Sequence, residues 1–226
     1  MSENNTPVRF EKIDSDNWYH FFKLPDEIID YFWEQIEVAK KENESMKGEL
    51  VGNISRSLYL KDPENLIIDK IFAALFNTQY QSYFTDVVRK YFRRITPQHT
   101  SLNAEPVLDK LWVNFQKKYE FNPLHDHSGL FSFVIWMKIP YNLEDERNLD
   151  FVKDASTQSN VGNFTFMSNL MESFVIEMDK DVEGCCVFFP AYLHHMVYPF
   201  YTSDEDRITI SGNIFFKEVK GAVSNR

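Results

Sequence analysis

Three of the six histidines stand where one metal ion could be held. His125 and His127 lie one residue apart just before the apolar run 129–139. In an extended segment alternate side chains share a face, so the two imidazoles look one way and Asp126 the other. A third donor has to come from another strand, and His195, a few residues after Pro190, sits on one of its own. A second constellation occupies 206–217. Alternation there puts Arg207, Thr209, Ser211, Asn213 and Phe215 on one face and Ile208, Ile210, Gly212, Ile214 and Phe216 on the other. A guanidinium on an inner face is costly unless an anion and further hydrogen bonds satisfy it. A dicarboxylate ligand would do so, gripped by two parallel hydrogen bonds. Each constellation also has a plain structural reading: turn histidines beside Pro123, Ser128 and Gly129, and the solvent face of an edge strand. Spacing alone leaves both open, and their co-occurrence in one chain favours a site.

The elements that must position these residues fall into two textures. From Pro25-Asp26-Glu27 a helix is expected, with Ile28, Ile29, Phe32, Trp33 and Ile36 at helical spacing and an end near Gly48. A second helical region starts near Pro63, carries Leu66, Ile67, Ile71, Phe72 and Leu75, resumes through Tyr80, Tyr83, Phe84, Val87, Val88 and Tyr91, and stops at Pro97. Beyond Pro106 short aromatic and β-branched runs alternate with polar turns. Strands are expected at 107–118, 129–139, 162–168, 173–179, 185–189, 194–199 and 206–217. Consecutive short strands without intervening helices predict a mainly β (α+β) fold, a double-stranded β-helix or jelly-roll, cupin-like barrel, with an N-terminal helical layer. The expectation is one domain over 1–226, with 1–105 as mostly helical support and 106–218 as the core. The polar stretch 141–160 is long for a hairpin connection and is expected to act as a lid.

Composition narrows the classes. With 43% hydrophobic and 16% aromatic residues the chain has ample material for a core, and seven glycines in 226 residues leave no glycine-rich phosphate loop. A formal charge of −10 and a pI near 5.1 argue against nucleic acid or an anionic membrane as partner. The basic run Arg89–Arg94 reads as a solvated helix end. Cys185 and Cys186 are neighbours, so they offer neither a disulfide framework nor a zinc site. The leader has no apolar signal region, and the run Leu130–Ile139 carries Lys138 and is too short to span a bilayer. A soluble, cytoplasmic protein is the expectation.

Larger motifs then come into view. Trp112-Val113-Asn114-Phe115 followed by Asn122-Pro123-Leu124-His125-Asp126-His127-Ser128-Gly129 resembles the first metal motif of the prolyl-hydroxylase-like branch of the 2-oxoglutarate/Fe(II)-dependent oxygenases. Gly184 to Pro190, then His195-Met196-Val197-Tyr198-Pro199, then Arg207-Ile208-Thr209 and Asn213, resemble the second half of that family's order. The resemblance covers about 112–216. It implies iron held by His125, the residue at 127 and His195, with His194 facing away. It implies 2-oxoglutarate chelating the iron through its keto acid end and bound at its distal carboxylate by Arg207, with Thr209 as hydroxyl partner and Asn114 and Asn213 lining the pocket. The family's usual ligand set has an Asp where this chain has His127. His127 is the preferred third ligand, and Asp126, turned inward by a bulge, is the alternative. The implied activity is a dioxygenase, a hydroxylase using molecular oxygen on a small-molecule or peptide substrate. Trp112, Phe131 and Phe133 are expected to form its dry wall. Two rival readings are a three-histidine cupin-like dioxygenase that uses no keto acid and a non-catalytic jelly-roll binding module.

Overall fold

A computed structural model describes residues 9–76, 81–95, 104–154 and 160–218. Among these residues eleven strands form two antiparallel sheets. Strands β1 (Arg9–Lys12), β2 (Trp18–Lys23) and β3 (Arg56–Tyr59) precede β4 (Ala104–Gln116), β5 (Asn122–His125) and β6 (Phe131–Lys138). The rest are β7 (Phe164–Met167), β8 (Ser173–Ile176), β9 (Cys185–Pro190), β10 (His195–Val197) and β11 (Arg207–Glu218). The large sheet runs β1-β2-β9-β6-β11-β4-β3 and the small one β5-β10-β7-β8. Among the described residues they face each other in the manner of a double-stranded β-helix without closing into a barrel.

Period-two alternation decides what each face of the large sheet meets. On β4, β6 and β11 the residues Leu111, Val113, Phe115, Phe131, Phe133, Ile135, Ile208, Ile210 and Ile214 join one core with the helices. Helix α1 (Asp26–Glu42) supplies Ile28, Phe32 and Ile36 to it, and helix α3 (Gln81–Ile95) supplies Phe84, Val87 and Val88. Each such aliphatic or phenyl group contributes roughly 1.5–3 kcal/mol when fully buried. The opposite face carries Val134, Trp136, Val187 and Phe189, which pack on Phe164, Phe166 and Ile176 of the small sheet. Adjacent Cys185 and Cys186 consequently fall into different cores, both as free thiols.

Helix α1 begins after Pro25 with Asp26 and Glu27 in its first turn, where carboxylates favour the positive end of the helix dipole. It ends on Asn43, in the left-handed region at φ 50°, whose N–H donates to the Ala39 carbonyl. The second helical region is a π-helical turn, Ile67–Phe72, running into α2 (Ala73–Phe76) and then α3. The join between α2 and α3, at 77–80, lies outside the described residues, as does the expected stop at Pro97. The polar spacer also contains a short helix, α4 (Leu143–Arg147).

The seven strands expected beyond residue 106 are all present with small shifts of boundary, and β5 adds an eighth. In the N-terminal part the helices are joined by β1, β2 and β3, which lengthen the large sheet at both edges. None of these four strands has a long alternating pattern, and sheet neighbours supply the order that four to six residues lack. No helix among the described residues is long and apolar enough to cross a membrane.

Candidate metal centre and its cavity

The small sheet brings the three histidines together. His125 ends β5 and pairs in register with His195, the first residue of β10. His127, just past β5, is fixed by its N–H donating to the Ala191 carbonyl at 2.8 Å. The ring centroids lie 4.3 Å (His125–His195), 4.9 Å (His127–His195) and 5.0 Å (His125–His127) apart. One nitrogen from each ring falls within 4.8 Å of the other two, the spacing a shared ion requires.

Backbone carbonyls set the tautomers. Nδ1 of His125 is 2.7 Å from the Pro123 carbonyl, and Nδ1 of His195 is 3.0 Å from the Leu193 carbonyl. A carbonyl can only accept, so both Nδ1 atoms carry the proton and both Nε2 lone pairs are left for a metal. Burial lowers the pKa of all three rings, to about 3 for His127 and well below the ordinary value for His195, with the neighbouring imidazoles adding to the effect. Neutral imidazoles are the form that binds metal. His195 is further held by stacking on Phe164, at 5.3 Å and 18°. Among the described residues no carboxylate joins the cluster. Asp126 lies at the cavity rim with an exposed side chain, and His194 is exposed on the outward face.

The histidines form one wall of a cavity of about 180 Å³. The opposite wall is the inner face of the large sheet, where Lys110, Trp112, Asn114 and Gln116 of β4 stand beside Arg207, Thr209, Ser211 and Asn213 of β11. All four polar residues that share a face on β11 thus reach the cavity. Gly212, which faces the other way, lets β11 pass the Phe133 ring: a Cβ there would lie 2.7 Å from it. Trp112 packs 5.8 Å from His127, so the metal candidates face the Trp112/Ser211 row. Arg207 and Gln116 occupy a row further along, with Asn114 and Thr209 between.

Arg207 is almost fully buried, 1% exposed, with no carboxylate at ion-pair distance among the described residues. Its five N–H groups all donate to neutral oxygens. Nε and Nη2 reach Gln116 Oε1 at 3.3 and 2.8 Å, Nη1 reaches the Tyr141 hydroxyl at 2.7 Å and the Gly162 carbonyl at 2.6 Å, and Nη2 also reaches the Tyr198 carbonyl at 3.0 Å. The rings of Tyr141 and Phe200 flank it. The two buried amides are oriented by serines. Ser57 donates to Asn114 Oδ1 at 2.7 Å and Ser132 to Asn213 Oδ1 at 2.8 Å, which leaves each amide NH₂ as the donor end.

Two expectations are corrected here. Phe131 and Phe133 point into the helical core, one pleat away from Trp112, so the apolar wall consists instead of Trp112, Trp136, Val134 and Phe164. The stretch 141–154 lines no part of the cavity. Leu143 and Glu146 of α4 are buried, and the Glu146 carboxylate accepts from the Tyr201 and Thr202 N–H groups and the Thr202 hydroxyl. The remaining 155–159 lie outside the described residues. Met46, Glu49, Leu50, Val51, Gly52 and Ile54, from the N-terminal part, also line the cavity. Sequence reading missed Gln116, Ser57 and Tyr141. Gln116 could have been found, because it shares its strand face with Asn114; Ser57 and Tyr141 carried no local signal.

Residues 110–213, just under half of the chain, match the family model described as "Putative 2OG-Fe(II) oxygenase", which bears out the resemblance read from the motifs. Solved structures similar to the chain include a Pseudomonas putida prolyl-4-hydroxylase, at 13% identity and TM-score 0.46 over 86% of this chain and 90% of that one. Another is a Trichoplax adhaerens prolyl hydroxylase in complex with a hypoxia inducible factor oxygen degradation domain peptide fragment, at 11% identity and TM-score 0.47 over 88% and 83%. No curated protein matches the chain.

Proposed function

We propose that this chain, whose core matches the 2OG-Fe(II) oxygenase family, is an Fe(II)- and 2-oxoglutarate-dependent dioxygenase, a hydroxylase acting on a small molecule or peptide. The observation that carries the reading is one cavity holding three converging neutral imidazoles at its metal end and, at the other, a buried guanidinium without a counterion among the described residues. His125, His127 and His195 are the proposed iron ligands. Three imidazoles bring no charge, so the keto acid carboxylate of the cosubstrate would offset part of the charge of a divalent ion, and its distal carboxylate would supply an anion for Arg207. Fe(II), when bound with 2-oxoglutarate and oxygen, supplies the oxidising power to break a substrate C–H bond.

The protein's own residues bind, orient and exclude water. The carbonyls of Pro123 and Leu193 aim two of the ligand nitrogens. Thr209 offers a hydroxyl and Asn114 an amide N–H between the metal end and Arg207. Asn213 lines the cavity on the other side of Trp112. Trp112, Trp136 and Phe164 keep the centre dry, which protects a reactive site from side reactions.

The test is anaerobic addition of Fe(II) and 2-oxoglutarate, which should give the weak visible charge-transfer band of the chelate, followed by oxygen, which should release succinate. Iron binding without either result refutes the assignment. The saturated hydrogen bonding of Arg207 favours a second reading, a three-histidine dioxygenase that needs no keto acid. Oxygen consumption with no succinate would identify it.

A further inference from the structure

We infer that Gln116 holds the place of the cosubstrate's distal carboxylate and decides which ligands can enter the Arg207 end of the cavity. The inference rests on the proposed use of 2-oxoglutarate. A carboxylate grips guanidinium best along an edge that presents two parallel N–H groups. On Arg207 the Nε/Nη2 edge is capped by one atom, Gln116 Oε1. The remaining acceptors do not yield readily. Two are backbone carbonyls, of Gly162 and Tyr198, and the third is the Tyr141 hydroxyl, which itself donates to Gly162.

Gln116 is different in kind. It sits at the end of β4, and apart from Arg207 its side chain is held by a single bond, Nε2 donating at 2.6 Å to the Glu120 carbonyl in the turn that follows. A swing about its own side-chain torsions uncovers the edge and leaves the backbone in place. A neutral amide oxygen is a weaker partner for guanidinium than a carboxylate, which adds the attraction of opposite charges and a second oxygen for the paired N–H groups. A ligand carboxylate therefore displaces Gln116, and a ligand without one does not. With no ligand present the amide keeps the buried charge hydrogen-bonded. Gln116 is thus a specificity-determining residue: it sets the cost that a keto acid with a second carboxylate meets in reaching the Nε/Nη2 edge, and it leaves a keto acid too short to reach that edge unaffected.

Two substitutions of opposite effect test this, with anaerobic Fe(II) chelate formation as readout and two probes, 2-oxoglutarate and 2-oxobutyrate, which lacks the distal carboxylate. Gln116→Ala opens the edge and should tighten 2-oxoglutarate about fivefold, the scale of one hydrogen bond. Gln116→Glu fills the edge with an internal carboxylate and should weaken 2-oxoglutarate more than about tenfold. Affinity for 2-oxobutyrate should stay within about twofold of wild type in both. Weaker 2-oxoglutarate binding in Gln116→Ala would make Gln116 a direct ligand contact and overturn the inference, as would wild-type affinity in Gln116→Glu. If Gln116→Ala does not fold, the Gln116→Glu comparison decides. A wild-type protein that binds iron but gives no band with either keto acid would overturn the 2-oxoglutarate reading and this inference together.

Discussion

Tyr141→Phe removes one oxygen atom and tests how tightly Arg207 depends on its hydrogen bonds. The ring is 3% exposed and stacks on Phe200 at 4.9 Å and 24°, contacts that phenylalanine preserves. The hydroxyl accepts from Arg207 Nη1 at 2.7 Å and donates to the Gly162 carbonyl at 2.6 Å. Gly162 keeps its bond from the same Nη1, so it is not orphaned. One N–H of a buried cation is. A hydrogen bond to a charged group is worth about 1.5–3 kcal/mol and the lost neutral one about 0.5–1.5 kcal/mol. The sum is roughly 2–4.5 kcal/mol, which at about 2–4 °C per kcal/mol for a chain of this size lowers the melting temperature by roughly 4–18 °C. Urea titration should show the fall in the midpoint with an unchanged slope. Saturating Fe(II) and 2-oxoglutarate should recover part of the loss, because ligands that bind only the folded state stabilise it by mass action. A loss below about 0.5 kcal/mol would refute the premise that Arg207 stays buried by virtue of full hydrogen bonding.

Three further outcomes follow from the same geometry. Asp126→Asn should leave Ni(II) affinity, measured by calorimetry, within about threefold, whereas His125→Ala should cost more than the roughly 10–100-fold typical of a residue behind a ligand; iron loss in Asp126→Asn would move the third ligand to Asp126. Burial lowers the His20 pKa to about 4, below its unfolded value of about 6.5, so the unfolded chain takes up the proton first as pH falls. His20 should therefore cost the metal-free protein up to about 1.4 kcal/mol per pH unit between pH 6.5 and 4, and His20→Phe should flatten that slope in melts across the range. Gly212→Ala places a Cβ 2.7 Å from the Phe133 ring and 2.9 Å from the Lys110 carbonyl, and should lower stability by about 1–3 kcal/mol in urea titration.

Alternation along the strands was legible in the sequence because it is a property of the backbone. The Arg207, Thr209, Ser211 and Asn213 face and the His125/His127 pair follow from a period of two, which any extended segment obeys, and both line the cavity. The type of fold was legible for the same reason, since short alternating runs in succession can bury their apolar faces only as stacked sheets.

What alternation cannot give is the identity of the layer each face meets. Trp112 and Phe133 are equally aromatic and equally placed in strands, yet one borders His127 and the other lies under the helices, because opposite pleats meet different layers. Ser57 reaches Asn114 only because β3 pairs with β4 across 57 positions of sequence, and residues of 46–54 line the cavity because the same pairing carries that segment to the site. The partners of Arg207 come from Gln116, Tyr141, Gly162 and Tyr198, separate points along the chain whose convergence depends on strand register and loop course. The sequence by itself therefore determined which groups could do chemistry and which face they share. Only the tertiary structure decided that the guanidinium meets five neutral hydrogen bonds and, among the described residues, no counterion, because long-range packing, with no local period to announce it, sets a buried group's surroundings.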